Sequence, residues 1–364
     1  MFTKNYNVRD MIKEKEKNPL VSVVIVNYNG KEYIDRCLEA VCRSNYTNTE
    51  IMVIDNGSRD GSIEILDEYE RKNSNFKSVR LNNNYGPSYA RNRGVSESKG
   101  DYLAFLDNDT VPDPDWLIPI VNIFREDITV GACQCKLLLL REPEKFDYAG
   151  DFLSQIGFLV QKVEGGEKDR GQADGNFEIL SAKSAGMAIR KDVFEQIGGF
   201  DKDYFIYLEE TDLGWRTWLA GYRIIFVPDS VVYHEFGTTN IIDPGSQNYR
   251  VKFHGTKNYI MTLIKNLGKI NLFMILPKHI LLWFGVVVVL FLKGKFRDSY
   301  LVLKGIVWNF YNIFRIGNKR SEIQKGRKIS DKDLFPKIMV KKKLSYFINK
   351  FRDSNKIGNA GGWS

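Results

Sequence analysis

Val21-Ser-Val-Val-Ile-Val26 is a short and almost unbroken run of β-branched residues near the start of the chain. Such runs are typical of strands that are buried on both faces, as in a parallel sheet. The polar turn Asn27-Tyr-Asn-Gly30 follows, and then an amphipathic helical pattern. A strand-like run that ends in a polar turn returns at Ile51–Ile54 and at Tyr102–Leu106. This alternation predicts an α/β protein with a doubly wound sheet flanked by helices.

Polar residues collect directly after these three strands, at Asn27–Asn29, Asp55–Ser58 and Asp107–Asp109. Ligands of open α/β sheets bind at the carboxyl ends of the strands, so we expect one nucleotide-sized site to gather all three segments. The phosphate-binding patterns GxGxxG and GxxxxGK[ST] are absent from the sequence. Their absence argues against a dinucleotide-dependent enzyme and against a P-loop nucleotide hydrolase.

The composition is that of a globular chain of 364 residues, with 43% hydrophobic and 27% charged residues. It excludes intrinsic disorder for most of the chain and predicts about two domains. Four cysteines (Cys37, Cys42, Cys133 and Cys135) are too few for a disulfide scaffold, and we expect buried free thiols in a reducing compartment. Residues 1–19 lack the apolar core of a signal peptide, which predicts a cytoplasmic first domain.

The C-terminal third differs from the rest of the chain in charge. Residues 251–364 carry 23 Lys and Arg against 5 Asp and Glu, whereas residues 1–250 have a net charge of −10. The apolar run Ile280–Leu292 would span about 20 Å as a helix, short of the roughly 30 Å of a hydrocarbon core. We expect Pro277-Lys-His279 to interrupt any longer helix, and the amphipathic stretch Tyr300–Ile316 to lie beside the run.

Asp107-Asn-Asp109 is the first candidate site for chemistry. Two carboxylates spaced by two residues at a strand end reach into one cleft if the chain turns there, and carboxylates are usual ligands of Mg²⁺ and Mn²⁺. His234 follows the strand-like Val231-Val-Tyr233 and is a candidate for completing such a metal site. The alternatives are an Asx turn for the two acids and a purely structural role for the histidine.

Two further segments suit a nucleotide. Asp55 ends a predicted strand and is placed to accept a hydrogen bond from a base, although Asp-Asn-Gly-Ser58 equally predicts a simple turn. Gly86 precedes a predicted helix with Arg91 and Arg93 in its early turns. Helix N-termini and guanidinium groups bind phosphate, and the alternative is a pair of solvated helix charges.

The segment Leu208–Arg216 places Glu209, Glu210 and Asp212 within four residues. Adjacent acids repel one another, which raises at least one pKa unless a cation or a donor intervenes. A general base needs a carboxylate tuned in this way. The alternative is a helix N-terminus whose dipole favours negative charge.

Together these segments resemble the inverting family-2 glycosyltransferases of the GT-A fold over about residues 20–240. The resemblance is carried, in this order, by Val21–Gly30, Ile54–Ser58, Asn84–Gly94, Asp107–Asp109, Gly198–Asp201, Tyr207–Arg216 and Tyr233–His234. Each segment is common by itself, but the set in this order is specific.

The resemblance implies a role for each group of residues. It assigns the nucleobase to Asp55, and the general base to the pair Glu209–Glu210. Since Glu210 stands where the family has Asp, it is open which of the two acids is the base. The nucleotide-sugar site is expected to contain Asn27, Asn29, Asp55, Gly86, Arg91 and Asp107, and the metal site, for Mg²⁺ or Mn²⁺, to contain Asp107, Asp109 and His234.

The predicted reaction is the transfer of a sugar from a nucleotide-diphospho-sugar to an acceptor hydroxyl, with inversion. The sequence is also similar to the rhamnosyltransferase-like members that act on lipid-linked glycans, which implies a glycan or lipid-linked acceptor. The rival interpretations are a processive polysaccharide synthase, for which QxxRW and several spanning helices are expected, and a non-catalytic membrane-bound binding protein. The basic C-terminal region lacks a recognised nucleic-acid module, so no nucleic acid partner is expected.

The predicted organisation has five parts. They are an N-terminal extension (1–19), a nucleotide-sugar-binding half (20–110), an acceptor or catalytic half (111–250), a helical membrane-associating region (251–320) and a basic tail (321–364). We expect the tail to be loosely ordered and the helical region to attach the enzyme to the cytoplasmic face of the membrane, in the plane of the interface. A buried helix pair and a single spanning helix are the alternatives.

Overall fold

The computed structural model describes residues 18–235 and 249–353. Its strands are β1 (Val21–Asn27), β2 (Thr49–Asp55), β3 (Phe76–Arg80), β4 (Tyr102–Asp107), β5 (Thr110–Pro112), β6 (Val130–Leu139), β7 (Phe146–Tyr148), β8 (Asp151–Ser154), β9 (Leu159–Gln161), β10 (Phe177–Glu178), β11 (Met187–Arg190), β12 (Arg223–His234) and β13 (Met339–Val340). Within the described residues, ten strands form one sheet in the order β10-β12-β6-β11-β4-β1-β2-β3, with β5 paired to β12 and β7 to β6. Strands β13, β8 and β9 form a smaller second sheet.

The register of the central strands places the polar segments together. β1 lies between β2 and β4 and runs parallel to both. Asn27 is paired with Asp55 and Val26 with Asp107, so the loops after the three strands emerge at the same edge of the sheet. β11 is antiparallel to its neighbours β4 and β6, which makes the sheet mixed. The predicted doubly wound sheet is confirmed.

Six helices of the described N-terminal part cover the sheet: α1 (Lys31–Cys42), α2 (Ser62–Lys72), α3 (Pro87–Glu97), α4 (Leu117–Glu126), α5 (Lys191–Gln196) and α6 (Glu209–Leu219). Alternate residues of β1 enter two separate cores, Val24 on one face and Val23 and Ile25 on the other. This double burial is the reason for the nearly continuous β-branched sequence.

The cysteines are free, as predicted. Cys37, Cys133 and Cys135 are buried, and burial raises the pKa of the Cys37 thiol to about 12. Cys42 is exposed, contrary to the expectation, because it is the last residue of α1, where the helix leaves the sheet surface.

The C-terminal part consists of α7 (Gly255–Asn266), α8 (Lys269–Leu292), α9 (Phe296–Tyr311), α10 (Ile313–Lys325), α11 (Asp331–Ile338) and α12 (Leu344–Asp353). All residues of α7 are buried, and this helix packs on α6 and on α8 to α10. The expectation of a loosely ordered tail is wrong up to residue 353. Leu334 and Ile338 of α11 are buried in the main core, and β13 pairs with β8, so apolar packing orders this lysine-rich segment.

Helix α8 runs without interruption from Lys269 to Leu292, and Pro277 lies inside it. The predicted break is therefore wrong, because a proline removes one backbone hydrogen bond but need not end a helix whose flanks are packed. His279 faces the protein, with its Nδ1 2.9 Å from the Ile156 carbonyl oxygen. Among the described residues, α8 is the one helix that is long and apolar enough to cross a membrane, with 24 residues and a mean hydropathy of 2.2 over an 18-residue window.

Candidate active site

Asn27, the last residue of β1, ties the three polar loops together. Its buried Nδ2 donates to Asp55 Oδ1 at 2.8 Å and to Ser58 Oγ at 3.2 Å. Its Oδ1 accepts a hydrogen bond of 2.8 Å from Asn108 Nδ2. Because a buried amide needs all of its donors and acceptors matched, this side chain holds the loops in one arrangement. Asn27 therefore organises the sheet edge at which the nucleotide site is predicted.

Asp55 and Asn29 fix the same loops. The second oxygen of the buried Asp55 carboxylate accepts a hydrogen bond of 2.9 Å from the Ser58 backbone N–H. Asn29 has a φ of +49°, which asparagine tolerates better than most residues, and its Oδ1 accepts a hydrogen bond of 2.8 Å from the Arg59 N–H. Asp55 thus makes the turn that its sequence suggested, and its contact with a nucleobase stays a prediction.

Asp107, Asp109 and His234 converge at this edge. One ligand atom from each of the three side chains lies within 4.8 Å of the others. The pairing of β5 with β12 sets His234 opposite Thr110, and its Nε2 lies 3.3 Å from Asp109 Oδ1. Two carboxylates and one imidazole are a donor set for a divalent cation, so these residues fit the predicted metal site.

Asp147 in β7 orients the His234 ring. Its Oδ2 lies 2.9 Å from His234 Nδ1, which directs Nε2 toward Asp109. A carboxylate behind a histidine ligand fixes the orientation of the ring and raises its basicity. Burial lowers the pKa of His234, but Asp109 and Asp147 raise it by a larger amount. The pKa of His234 therefore lies well above its usual value. Sequence reasoning missed Asp147, because one aspartate in Phe-Asp-Tyr148 carries no motif.

Arg91, in α3, links the metal-site acids to the Glu209–Glu210 pair. Its buried guanidinium donates to Glu209 Oε1 at 2.9 Å and to Asp107 Oδ1 at 3.1 Å, and lies 3.8 Å from Glu210 Oε1. Burial and the charge of Glu210, against the attraction of Arg91, raise the pKa of Glu209 to about 7. Burial likewise raises the pKa of Asp107. One guanidinium faces three carboxylates, an imbalance that a bound cation would relieve.

Glu210 differs from Glu209 in exposure and in partner. Its Oε1 accepts hydrogen bonds from the Ser184 backbone N–H at 2.8 Å and from the Ser184 hydroxyl. The Glu210 side chain is 19% exposed, against 4% for Glu209. Glu210 is therefore the more accessible acid of the pair. Ser184 was also missed by sequence reasoning, since a serine between two strands gives no signal.

The backbone before the acid pair is strained. Phe205, Tyr207 and Leu208 have φ angles of +62°, +68° and +64°. Such conformations cost of order 1–3 kcal/mol each in non-glycine residues and cluster at functional sites. Gly86 approaches this segment closely, because a β-carbon at Gly86 would lie 2.7 Å from the Phe205 ring. This approach explains the glycine structurally, and its contact with a nucleotide stays a prediction.

Two other arginines contrast with Arg91. Arg93 pairs with Glu97 at 2.6 Å on the surface and does not belong to the acid cluster, so the solvated alternative holds for it. Arg250, just before α7, is buried near Tyr207, and its hydrogen bond to the phenol opposes the rise in pKa that burial causes there. Sequence reasoning did not single out Arg250.

Comparison with known proteins supports the predicted family. The model described as Glycosyl transferase family 2 matches residues 22–198. Residues 22–198 are a glycosyl transferase family 2 domain. The sequence resemblance is thereby confirmed, and with it the prediction that the chain is a glycosyltransferase. The rhamnosyltransferase-like subgroup stays a prediction.

Curated relatives support the same conclusion. Glycosyltransferase AglE of Haloferax volcanii is 29% identical over 221 residues, which cover 59% of this chain and 67% of that protein. The poly-β-1,6-N-acetyl-D-glucosamine synthase of Staphylococcus epidermidis is 26% identical over 221 residues, which cover 58% of this chain and 49% of the synthase. Apart from AglE, the chain spans about a third to a half of the length of the relatives it matches.

The crystal structure of GalNAc-T7 with UDP, GalNAc and Mn²⁺ superposes with a TM-score of 0.54 at 21% identity. The superposition covers 69% of this chain and 48% of GalNAc-T7. At this level of identity the likeness establishes the fold, and the predicted GT-A architecture is confirmed.

Proposed function

We propose that this family-2 domain moves a sugar from a nucleotide-diphospho-sugar to an acceptor hydroxyl with inversion, and that it uses a divalent cation, Mg²⁺ or Mn²⁺. The observation that carries the proposal is the convergence of the Asp107–Asp109–His234 triad with the Glu209–Glu210 pair through Arg91. The fold neighbour GalNAc-T7 holds UDP, GalNAc and Mn²⁺, which supports the donor class and the cation.

Asp107, Asp109 and His234 would hold the cation that binds the leaving diphosphate, and Arg91 acts through Asp107. When bound to Asp107, Asp109 and His234, the cation supplies neutralisation of the charge that develops on the departing diphosphate. Asp147 keeps the His234 ring in position, and Arg91 keeps Asp107 in position through the 3.1 Å ion pair. The loops organised by Asn27 form the proposed nucleotide site at the adjacent sheet edge.

Glu210 is the proposed general base. Ser184 holds one of its oxygens, and the side chain remains partly exposed, whereas Glu209 is buried against Arg91. The acceptor oxygen attacks the anomeric carbon from the face opposite the diphosphate. The bond to the diphosphate breaks, the new glycosidic bond forms, and the hydroxyl proton passes to Glu210.

A screen of nucleotide-diphospho-sugars, with release of the nucleoside diphosphate as the readout, tests this mechanism. Glu210→Gln should lower kcat by roughly 10²–10⁴, the usual scale for general acid–base catalysis, and change donor binding little. An active Glu210→Gln beside an inactive Glu209→Gln would move the base by one residue. A product with retained anomeric configuration would reject the single displacement.

We further propose that α8, α9 and α10 attach the enzyme to the cytoplasmic face of the membrane, near a lipid-linked or glycan acceptor. Of the 20 large hydrophobic side chains exposed in the described part of the chain, 17 lie between residues 270 and 314. Exposed apolar surface of this extent marks an interaction site. Lys293, Lys295 and Arg297, at the turn between α8 and α9, are exposed and suit anionic headgroups.

The packing of α8 favours a position in the plane of the interface over a span. Ile275, His279 and Trp283 form a buried stripe, and the His279–Ile156 hydrogen bond joins it to the loop between β8 and β9. A spanning α8 would lose these contacts or draw the catalytic domain into the bilayer. The other alternative, a buried core helix, disagrees with the exposure of most of α8.

Fractionation of cells in high salt and then in detergent tests the attachment. The wild-type protein should remain with membranes in salt, because the apolar contacts persist, and should dissolve in detergent. The double variant Phe291→Glu and Phe310→Glu should move to the soluble fraction, and Ile128→Glu, an exposed position outside the patch, should not. In right-side-out vesicles, a tag after Ser364 that is protected from added protease lies on the cytoplasmic side and supports the in-plane position. A tag that the protease removes has been exported and would establish a span.

A processive synthase is the second candidate, favoured by the similarity to poly-β-1,6-N-acetyl-D-glucosamine synthase. The described residues contain one helix that could span a membrane, and the number of sugars added in one encounter separates the two candidates. Mass spectrometry of the product in excess donor should show one added sugar. A ladder of longer products would establish the synthase, and a deoxyhexose product would support the rhamnosyltransferase-like subgroup.

A further inference from the structure

We infer that Asn258, in α7, is a positioning residue that clamps the strained segment Tyr204–Leu208 and thereby sets the positions of Glu209 and Glu210. The inference rests on the proposed function, because it assigns Asn258 an effect on catalysis through this acid pair. Neither the family match, which ends at residue 198, nor the predicted site included this residue.

The segment makes a γ-turn that is rarely seen. The Ile206 N–H donates to the Tyr204 carbonyl at 2.8 Å across Phe205, whose φ and ψ are +62° and −65°. This is the strained hand of the γ-turn. Leu208 follows in the left-handed region, with φ of +64° and ψ of 3°, and it precedes α6 directly. Such backbone persists only where surrounding contacts hold it.

Asn258 supplies these contacts. The two N–H bonds of its Nδ2 face three carbonyl oxygens of the segment, those of Tyr204 at 3.1 Å, Ile206 at 2.8 Å and Tyr207 at 2.7 Å, so that one hydrogen is shared between two of them. Asn258 is fully buried, so water cannot replace these hydrogen bonds. One turn further along α7, Thr262 shares a hydrogen bond of 2.8 Å with the Tyr204 hydroxyl, which secures the start of the segment.

The opposite side of the segment is filled as well. The Phe205 ring lies against Gly86 and stacks on the His254 ring with centroids 5.3 Å apart. These ring contacts fix where Phe205 lies. The Tyr204 carbonyl also accepts hydrogen bonds from the Ile206 N–H and from the His254 ring, whereas the hydrogen bonds of the Ile206 and Tyr207 carbonyls come from the Asn258 amide.

The clamp acts on the acids through the first turn of α6. The Leu208 carbonyl accepts the hydrogen bond of the Asp212 N–H at 2.9 Å, so the left-handed Leu208 sets the direction in which α6 begins. Glu209 and Glu210 are the next two residues, and their contacts to Arg91 and Ser184 depend on that direction. A displacement of about 1 Å in a reacting group is enough to lower a rate by roughly 10²-fold.

The matched comparison is Asn258→Ala against Asn309→Ala. Asn309, in α9, is also buried, and its Nδ2 also donates to backbone carbonyls, those of Lys257 and Gly305, which lie outside the segment. Asn258→Ala should lower kcat by roughly 10–10²-fold with the donor KM nearly unchanged, because the nucleotide is bound elsewhere. Asn309→Ala should leave both constants nearly unchanged even if it lowers the melting temperature equally.

Hydrogen exchange provides a readout that does not depend on catalysis. The amides of residues 204–210 should exchange faster in Asn258→Ala than in Asn309→Ala at equal global stability. Asn258→Ser, which keeps one donor, should give intermediate exchange and an intermediate kcat, and it serves if the alanine variant does not fold.

Two results would overturn the inference. One is equal exchange of residues 204–210 in the two alanine variants, which would show that Asn258 does not hold the segment. The other is faster exchange with an unchanged kcat, which would show that the segment does not position the base. Failure of the proposed function is distinct, since it would appear as full activity of both Glu209→Gln and Glu210→Gln whatever the exchange rates.

Discussion

Two groups of acids include residues next to the strained segment Tyr204–Leu208, and they are neutralised to different degrees. The site acids are Asp107, Asp109, Glu209 and Glu210, and the cations among them are Arg91 and His234. The network acids are Asp201, Asp203 and Asp212, and the cations among them are Arg216, Lys265, Arg315 and Lys319. Negative charge is therefore in excess at the site and fully matched in the network.

The pKa values follow this difference. Burial and the neighbouring Glu210 raise the pKa of Glu209 to about 7, because Arg91 is shared among several acids. Burial would also raise the pKa of Asp201 and Asp212, but Lys265 and its neighbours hold both below the usual range. Buried acids that form structure are paired with cations, whereas those that bind a cation or move a proton are left short of positive charge.

Asp109→Asn, a change among the site acids, should have the largest effect, and that effect is on sugar transfer. We expect transfer to fall by about 10³-fold or more with the fold intact, since several kcal/mol of charge stabilisation would depend on the proposed cation. Asp203→Asn makes the same chemical change in the network and should leave transfer nearly unchanged. Transfer assays with and without a chelator measure this contrast, and full wild-type activity in excess chelator would contradict the metal assignment.

Lys265→Met, a change among the network cations, should lower the stability of the fold. Lys265 is buried and lies 2.7 Å from Asp201 and 2.8 Å from Asp212, so its loss leaves two buried carboxylates short of a cation. We expect the free energy of unfolding to fall by about 3–5 kcal/mol in denaturant titrations. Lys319→Met removes a more exposed partner of Asp201 and should cost about 1 kcal/mol or less. Equal losses in the two variants would show that burial does not govern the network.

Glu209→Gln tests the raised pKa of Glu209 through the pH dependence of stability. An unfolded glutamate titrates near its ordinary value, whereas folded Glu209 has a pKa of about 7, so the folded state holds an additional proton between these values. The contribution of Glu209 to stability therefore falls as the pH rises from about 4.5 to about 7. The difference in unfolding free energy between wild type and Glu209→Gln should change by about 1–3 kcal/mol from pH 5 to pH 8. A difference that is constant with pH would contradict the raised pKa.

The sequence predicted the part of the site that lies next to strand ends. Asn27, Asp55 and Asp107 could be grouped from sequence because each follows a strand-like run, and parallel strands end at one edge. Asp147 and Ser184 could not be found in this way. They reach His234 and Glu210 only through the pairing of β6 with β7 and the fold of the chain before β11, which no local pattern encodes.

The C-terminal region also has features that local sequence patterns do not predict. Helical periodicity indicated apolar helices in residues 280–316, but Pro277 suggested a break that packing overrides. The many lysines of the tail suggested disorder. Leu334 and Ile338 are nevertheless buried in the main core, and their packing orders this segment.

The sequence by itself determined the sheet, the edge at which its loops meet and the acids placed there, because strand burial and turn chemistry are local properties that composition and spacing reveal. Only the tertiary structure decided which acid is buried against Arg91 and which is held by Ser184. It also decided that Asn258, 48 residues beyond Glu210 in the chain, supports the segment before the acid pair. Burial and charge balance arise from contacts between distant residues, and they determine which carboxylates are available for chemistry.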